Sequence, residues 1–343
     1  MKRKTKVIVT FSGGKDSLAS LLLAIKKYGK ENIIVVFCDV KWEHPLTYKY
    51  ITDIMNQLQM EIIVLSSTEY DGFIDMVKKK KRFPSAMARF CTEKLKSIPM
   101  IDFVLDVHKN NMIVIQGIRA QESDSRAEMS EDCRFFKYYF EPYDSNTIKV
   151  NRYEKKIASG KTLTLREQKA YDKAKNRLSI GKNDEKRHTY RKKDVLEFCK
   201  QFADDIHRPV FHMSAHEVLQ LILDAGLKPN PLYYLGFGRV GCFPCIMVNH
   251  VELWQIIDSS ENWVIDDLIA YEKETGHSFF GPDYIPKKYC SKEAVNKKGE
   301  LVKYPTTEDV VRYLKMKNAQ QDLFAEQEVN DDRSCMSYYG ICE

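Results

Sequence analysis

The sequence predicts an α/β protein, a parallel sheet with helices on both faces. Three observations predict it. Short aliphatic runs at residues 6–11, 33–37, 61–65 and 112–115 are separated by longer amphipathic stretches. The runs are continuously apolar rather than alternating, as in strands buried on both faces. Each return to a strand passes through a helix-length segment, which parallel neighbours require.

Taken in order, Lys6-Val7-Ile8-Val9-Thr10-Phe11 reads as a buried strand and Ser12-Gly13-Gly14 as a turn. Residues 16–28 follow as a helix with Leu18, Leu21, Leu22 and Ile25 on one face. The second strand ends at Asp39, residues 46–60 read as a helix, and 61–65 as the third strand. A helix over 98–109 leads into the fourth strand. After Tyr143 the pattern stops. Residues 151–193 are polar and nearly free of large aliphatics, with one helix expected around 165–177, and read as an inserted arm or mobile segment. Order resumes at His212. Ser214-Ala215-His216-Glu217 reads as a helix cap before Val218, Leu219, Ile222 and Leu223. Gly226, Pro229 and Pro231 end that helix, 253–274 is a further helical stretch, and the tail after Asp309 is largely polar. The expected division is an α/β domain over 1–143, a basic insertion over 144–195, and a helical, cysteine-containing region over 196–343.

Composition narrows the class. With 43% hydrophobic and 30% charged residues, wholesale disorder and fibrous repeats are excluded. No apolar run approaches the roughly 20 residues of a membrane helix. Met1-Lys2-Arg3-Lys4 runs into a strand with no leader-like apolar core. A cytoplasmic location with no membrane partner is the expectation. Nine cysteines in a reducing compartment argue against a disulfide framework, and Cys38 and Cys199, in apolar contexts, read as core. Residues 145–195 carry 16 basic and 6 acidic side chains, whereas the whole chain has a net charge of only +6. With Tyr153, Tyr171 and Tyr190 interleaved, this segment is a candidate nucleic-acid contact or a solvated insertion.

The strongest local signal is Ser12-Gly13-Gly14-Lys15-Asp16-Ser17, between the first strand and the first helix. Two glycines let the backbone curl and expose N–H groups to an anion. The helix N-terminus adds its dipole and Lys15 a point charge. Gly117, Arg119, Glu122 and Arg126 lie on the loop after the fourth strand, and arginine forks suit phosphate or sulfate. Asp39 ends the second strand at the same edge.

This loop resembles the PP-loop of the ATP pyrophosphatases, in their phosphoadenosine phosphosulfate (PAPS) reductase branch. Three more blocks are similar to that family. They are Gln116-Gly117-Ile118-Arg119-Ala120-Gln121-Glu122-Ser123-Asp124-Ser125-Arg126, Arg89-Phe90-Cys91-Thr92-Glu93-Lys94-Leu95-Lys96-Ser97-Ile98-Pro99, and the segment from Asn230 to Cys242-Phe243-Pro244-Cys245. The resemblance implies an adenine nucleotide alpha hydrolase-like (Rossmann-like) fold. It implies nucleotide contacts from Ser12, Gly13, Gly14, Lys15, Asp16, Ser17, Gly117, Arg119 and Glu122, to which Asp39 is added by its place at the same edge, and catalytic roles for Lys15, Asp16, Arg119 and Arg126.

Cys242-Phe243-Pro244-Cys245 admits three readings: a redox pair, a zinc knuckle or an iron–sulfur site. By the resemblance, Cys91, Cys242 and Cys245 would hold a [4Fe–4S] cluster or Zn²⁺. Cys290 is favoured as fourth ligand, with Cys133 or a C-terminal cysteine as alternatives. Phe90 stands where adenosine-phosphosulfate (APS) reductases carry the first of two adjacent cysteines. The Glu-Cys-Gly-x-His tail peptide of sulfonucleotide reductases is missing, leaving Cys335 and Cys342 as stand-ins.

The resemblance thus implies an enzyme using ATP and Mg²⁺ to adenylate a substrate in sulfur transfer or assimilation, releasing pyrophosphate, with a sulfur donor or reductant protein as partner. The alternative is a PAPS or APS reductase forming sulfite. A second alternative is a nucleic-acid-binding regulator on the same fold.

Overall fold

The computed structural model describes residues 5–85, 88–295 and 299–325. Its centre is a six-stranded sheet of β1 (Lys6–Thr10), β2 (Ile33–Cys38), β3 (Ile62–Leu65), β4 (Met112–Ile115), β5 (Asp132–Arg134) and β6 (Asp204–His207). The order is β3-β2-β1-β4-β6-β5. All pairings are parallel except β5 against β6. β1 is central, with Val7 opposite Ile33 on one side and Ile113 on the other. Its side chains alternate between two cores. Val7 and Val9 pack with the helices Lys15–Tyr28, Pro45–Leu58 and Ala215–Asp224. Ile8 packs with Met100, Phe103 and Val104 on the other face, together with Val195 and Phe198 of the helix Lys192–Gln201.

A third core lies outside the sheet. Leu253, Ile256, Val264, Leu268, Val310 and Leu314 from C-terminal helices enclose Trp42, Phe73, Met76 and Leu95 from the first half of the chain. The C-terminal region therefore packs against loops at the carboxyl edge of the sheet.

The four apolar strands and the first two helices form where the pattern places them. The rest departs in instructive ways. Residues 151–193 are not one polar arm around a single helix. Two helices, Asn146–Ala158 and Leu165–Ser179, form a hairpin, and Lys192–Gln201 follows. β5 and β6 carry no apolar signature in the sequence, and Asp204-Asp205-Ile206-His207 offers one aliphatic residue. Asp204 is nonetheless buried, its charge met by Arg134 at 2.7 Å and by the Phe136 N–H at 2.9 Å. The stretch 253–274 is two helices, His250–Asp258 and Trp263–Thr275, broken where Ser259 caps a short turn. The tail after Asp309 continues a helix, Thr307–Ala325.

Candidate functional site

The chain runs from β1 through β2 to β3 on one side, then returns to place β4 on the other. β1 and β4 are thus neighbours at a topological switch point, whose carboxyl edge is where open α/β sheets bind ligands. The loop 11–14 leaves β1 there and the loop 116–126 leaves β4. Thr10 Oγ1 ties the two strands by donating to the Ile115 carbonyl at 3.1 Å.

Gly13 adopts φ 76°, a left-handed conformation costly for any residue with a Cβ. The loop then enters the helix Lys15–Tyr28 with Gly14 as N-cap and no side-chain cap. The N–H groups of Gly13, Gly14, Asp16 and Ser17 have no hydrogen-bond partner among the described residues. Such orphaned donors, with the helix dipole behind them, favour an anion. Ser17 Oγ donates to the Gly14 carbonyl at 2.8 Å and accepts from the Ser12 N–H at 3.3 Å, fixing the curl.

Gly117 explains why β4 can deliver its loop. A Cβ there would stand 2.5 Å from Ser17 N and 2.6 Å from Asp16 O, both backbone atoms. Arg119, buried, ion-pairs through Nε with Asp16. Lys15 Nζ lies 3.7 Å from the other Asp16 oxygen. Glu122 accepts from the Arg119 N–H at 3.0 Å and ion-pairs with Arg126. Burial pushes the Lys15 ammonium below its ordinary range, and Arg119 and Arg126 add repulsion that Asp16 partly offsets. Arg126 is likewise lowered, by burial first and then by Arg119, Arg89 and Arg239. Lys15 and Arg126 thus both feel cationic neighbours at the loop, and an anion bound there would relieve them.

The segment from Asn230 closes the cradle. Asn230, fully buried, donates to the Gly13 carbonyl at 3.2 Å. Tyr233 accepts from the Lys15 N–H at 3.1 Å, and Lys15 Nζ lies 5.0 Å from its ring centroid. In the sequence this block stands out by its cysteines alone, and the roles of Asn230 and Tyr233 emerge only in the fold. Asp39 is held by Tyr48, whose hydroxyl donates at 2.8 Å, and by the Lys41 N–H at 2.7 Å.

Further along the same edge, Glu43 and Cys242 meet in an isolated β-bridge. Cys242 Sγ lies 3.8 Å and Lys96 Nζ 3.7 Å from Glu43 Oε1, while Glu43 Oε2 is buried with no hydrogen-bond partner among the described residues. Burial pushes the Glu43 carboxyl up to about 7 despite the nearby Lys96. Burial, then Glu43, also drives the Cys242 thiol far up. The thiols of Cys91, Cys242 and Cys245 interact electrostatically, and Lys96 is raised by Cys242, Glu43, Cys38 and Cys245. Cys290 Sγ lies 3.9 Å from the Pro286 carbonyl, and its thiol is pushed up by burial first and then by Asp309. Among the described residues no three His, Cys, Asp or Glu side chains converge as a metal site. Cys335 and Cys342 lie outside the described residues.

The phosphoadenosine phosphosulfate reductase domain model matches residues 6–132 and 139–248, taking in the loop, the arginine block and the cysteine pair. The chain belongs to this PAPS reductase family. Its relatives include an uncharacterised protein of Methanocaldococcus jannaschii, 28% identical over 71% of this chain. The match takes in 37% of that relative, so this chain spans little more than a third of its length. An uncharacterised protein of Escherichia phage 186 is 26% identical over 98% of this chain and 96% of its own. A nin-region protein of Escherichia phage lambda is 29% identical over 34% of this chain and 48% of its own. Among solved structures, the Candida auris PAPS reductase in a phosphate complex aligns over 70% of this chain and 82% of its own, at 11% identity and TM-score 0.40. FMN adenylyltransferase of Candida glabrata aligns over 71% and 54%, at 10% identity and TM-score 0.37.

Other candidate features have structural roles. In the run from Lys78 to Arg82, Lys78 pairs with Glu274 and Lys79 with Asp75, and Arg82 lies over Phe90. Among the described residues no helix is long and apolar enough to cross a membrane.

Proposed function

We propose that the family's nucleotide is here ATP, cleaved between its α and β phosphates to adenylate a substrate. The observation that carries this reading is that Lys15 and Arg119 meet about Asp16 at an uncapped helix N-terminus at the switch point, with Arg126 beside them on the β4 loop. An extended triphosphate matches that spread of charge. The N–H groups of Gly13, Gly14, Asp16 and Ser17 would hold the β and γ phosphates, and Arg119 and Arg126 the α-phosphate or an anionic substrate. A substrate oxygen attacks the α-phosphorus. The bond to the α–β bridging oxygen breaks, and pyrophosphate leaves with the electron pair. Lys15 stabilises the charge that develops on it. Mg²⁺ would supply further neutralisation across the phosphates, with Asp16 the carboxylate within the loop to meet it. Asp39 and Glu122 position the walls of the cradle.

Sulfur chemistry would fall to Cys91, Cys242 and Cys245, with a sulfur donor or reductant protein as partner. As donors, thiols beside cationic Lys96 suit an anionic [4Fe–4S] cluster, and Zn²⁺ takes the same ligands. Among the described residues they do not converge as a metal site, so no step here runs through a metal.

The test is product analysis after prolonged incubation with Mg²⁺ and ATP. AMP and pyrophosphate are expected, and lost in Lys15→Ala. ADP and phosphate would overturn the reading. The family description favours a second one, reduction of PAPS or APS to sulfite. It requires sulfite release with a dithiol reductant, abolished by joint Cys→Ser substitution at Cys335 and Cys342.

A further inference from the structure

The helices Asn146–Ala158 and Leu165–Ser179 pack antiparallel. Lys156 pairs with Glu167 at 2.7 Å, the rings of Tyr153 and Tyr171 meet edge to face at 6.1 Å, and the Tyr171 hydroxyl reaches Glu154 at 3.3 Å. Several cations nearby are neutralised: Lys149 and Lys186 by Asp144, Arg177 by Asp184. Others are not, and four of these share one side of the pair. Arg152, Lys155, Lys169 and Lys173 are exposed and make no ion pair among the described residues.

Their positions share a rule. Each immediately precedes a residue on the packed side of its helix: Tyr153, Lys156, Ala170 and Ala174. One residue back is a rotation of about 100°. In two antiparallel right-handed helices that rotation leads to the same side of the pair. The acids follow the opposite rule. Glu154 comes one residue after Tyr153 and Asp172 one after Tyr171, which turns both to the other side. Lys175, one after Ala174, is there too, raised by Tyr171, Glu154 and Asp172. The hairpin is therefore electrostatically two-faced. Its basic face sets Arg152 with Lys155, and Lys169 with Lys173, at spacings where like charges repel. The opposite face shows that the same helices can carry compensating acids.

We propose that this face docks on the phosphate backbone of double-stranded DNA. The tyrosines support a duplex over a single strand, because Tyr153 and Tyr171 pack on each other and Tyr190 donates to Asp102 at 3.0 Å. The rings of Tyr153 and Tyr171 are thus turned to each other rather than presented for base stacking. Packed helix axes lie about 8–10 Å apart. Two basic rows at that separation approach the phosphate rows beside the roughly 12 Å major groove of B-form DNA. A-form RNA sets its phosphate rows differently, across a deep narrow major groove and a wide shallow minor one. The inference is independent of the adenylation reading, since it draws on neither the loop nor its nucleotide.

The test is fluorescence anisotropy of a labelled DNA duplex against the full chain over a salt series. The variant Arg152→Gln/Lys155→Gln/Lys169→Gln/Lys173→Gln is expected to lower the slope of log K against log salt by about 3–4, at roughly 0.9 per phosphate contact. Each pair alone, Arg152→Gln/Lys155→Gln or Lys169→Gln/Lys173→Gln, should lower it by about half of that. Lys175→Gln should leave it unchanged. Absence of DNA binding by the wild-type chain at low salt would overturn the proposal. So would an equal loss in Lys175→Gln, or binding of an RNA duplex in preference to DNA.

Discussion

Lys15 is buried beside two arginines that disfavour its charge, and Asp16 alone within the loop opposes them. That arrangement spends folding stability to keep a cation ready for an anion. Lys15→Ala is therefore expected to weaken ATP binding about 10- to 100-fold, the loss of one charge-assisted contact of about 1.5–3 kcal/mol. Titration calorimetry reads it. Gly117 is a steric requirement, because the β4 loop crosses the first helix at backbone contact. Gly117→Ala should cost roughly 1–3 kcal/mol as an overpacked contact. It should lower both Tm and ATP affinity. Glu43 gives a pH signature. Its carboxyl rises from an ordinary 4.5 to about 7 on folding, so the folded state favours the protonated form. Its contribution is intact below the unfolded value and is lost as pH rises through about 7. Wild-type Tm should fall across that window more steeply than that of Glu43→Gln. The loop, Arg119 and Arg126 were legible because glycines, a lysine and arginines beside a strand carry phosphate chemistry in their types. Glu43 was not, since what makes it unusual is Lys96 and Cys242, far off in sequence.

Elements were legible where apolar pattern alone determined them. β1 to β4 are such cases, and the helix after Ser214 was marked besides by its polar capping box with Glu217. β6 was hidden because its buried Asp204 is held by Arg134 rather than by apolar burial. The hairpin was hidden because its helices depend on caps and ion pairs. Thr164 and Glu167 form a capping box, Ser145 caps the first helix, and Asn146, Val150 and Ala174 are its few buried residues. So small a core predicts early local opening. In hydrogen-exchange mass spectrometry, amides of 146–179 should exchange well before those of β1 and β4. Equal protection would mean that the hairpin is held by contacts other than these.

At the scale of the whole molecule, three cores meet at one edge. Two flank the sheet, and the third brings the C-terminal helices against the loops that follow β2 and β3. The segment 230–245 belongs to that third layer, yet it supplies Asn230 and Tyr233 to the phosphate cradle and Cys242 to the thiol group. A ligand in the cradle should therefore tie layers that are distant in sequence. Mg²⁺-bound ATP is expected to raise Tm with concentration, as any ligand preferring the folded state does. The most direct measurement is equilibrium binding of ATP with pyrophosphate as competitor, on the wild-type chain and on Lys15→Ala. The cradle as described predicts that ATP binds, that pyrophosphate displaces it, and that both affinities drop together in the variant. ATP binding that pyrophosphate leaves untouched, or that survives intact in Lys15→Ala, would contradict it.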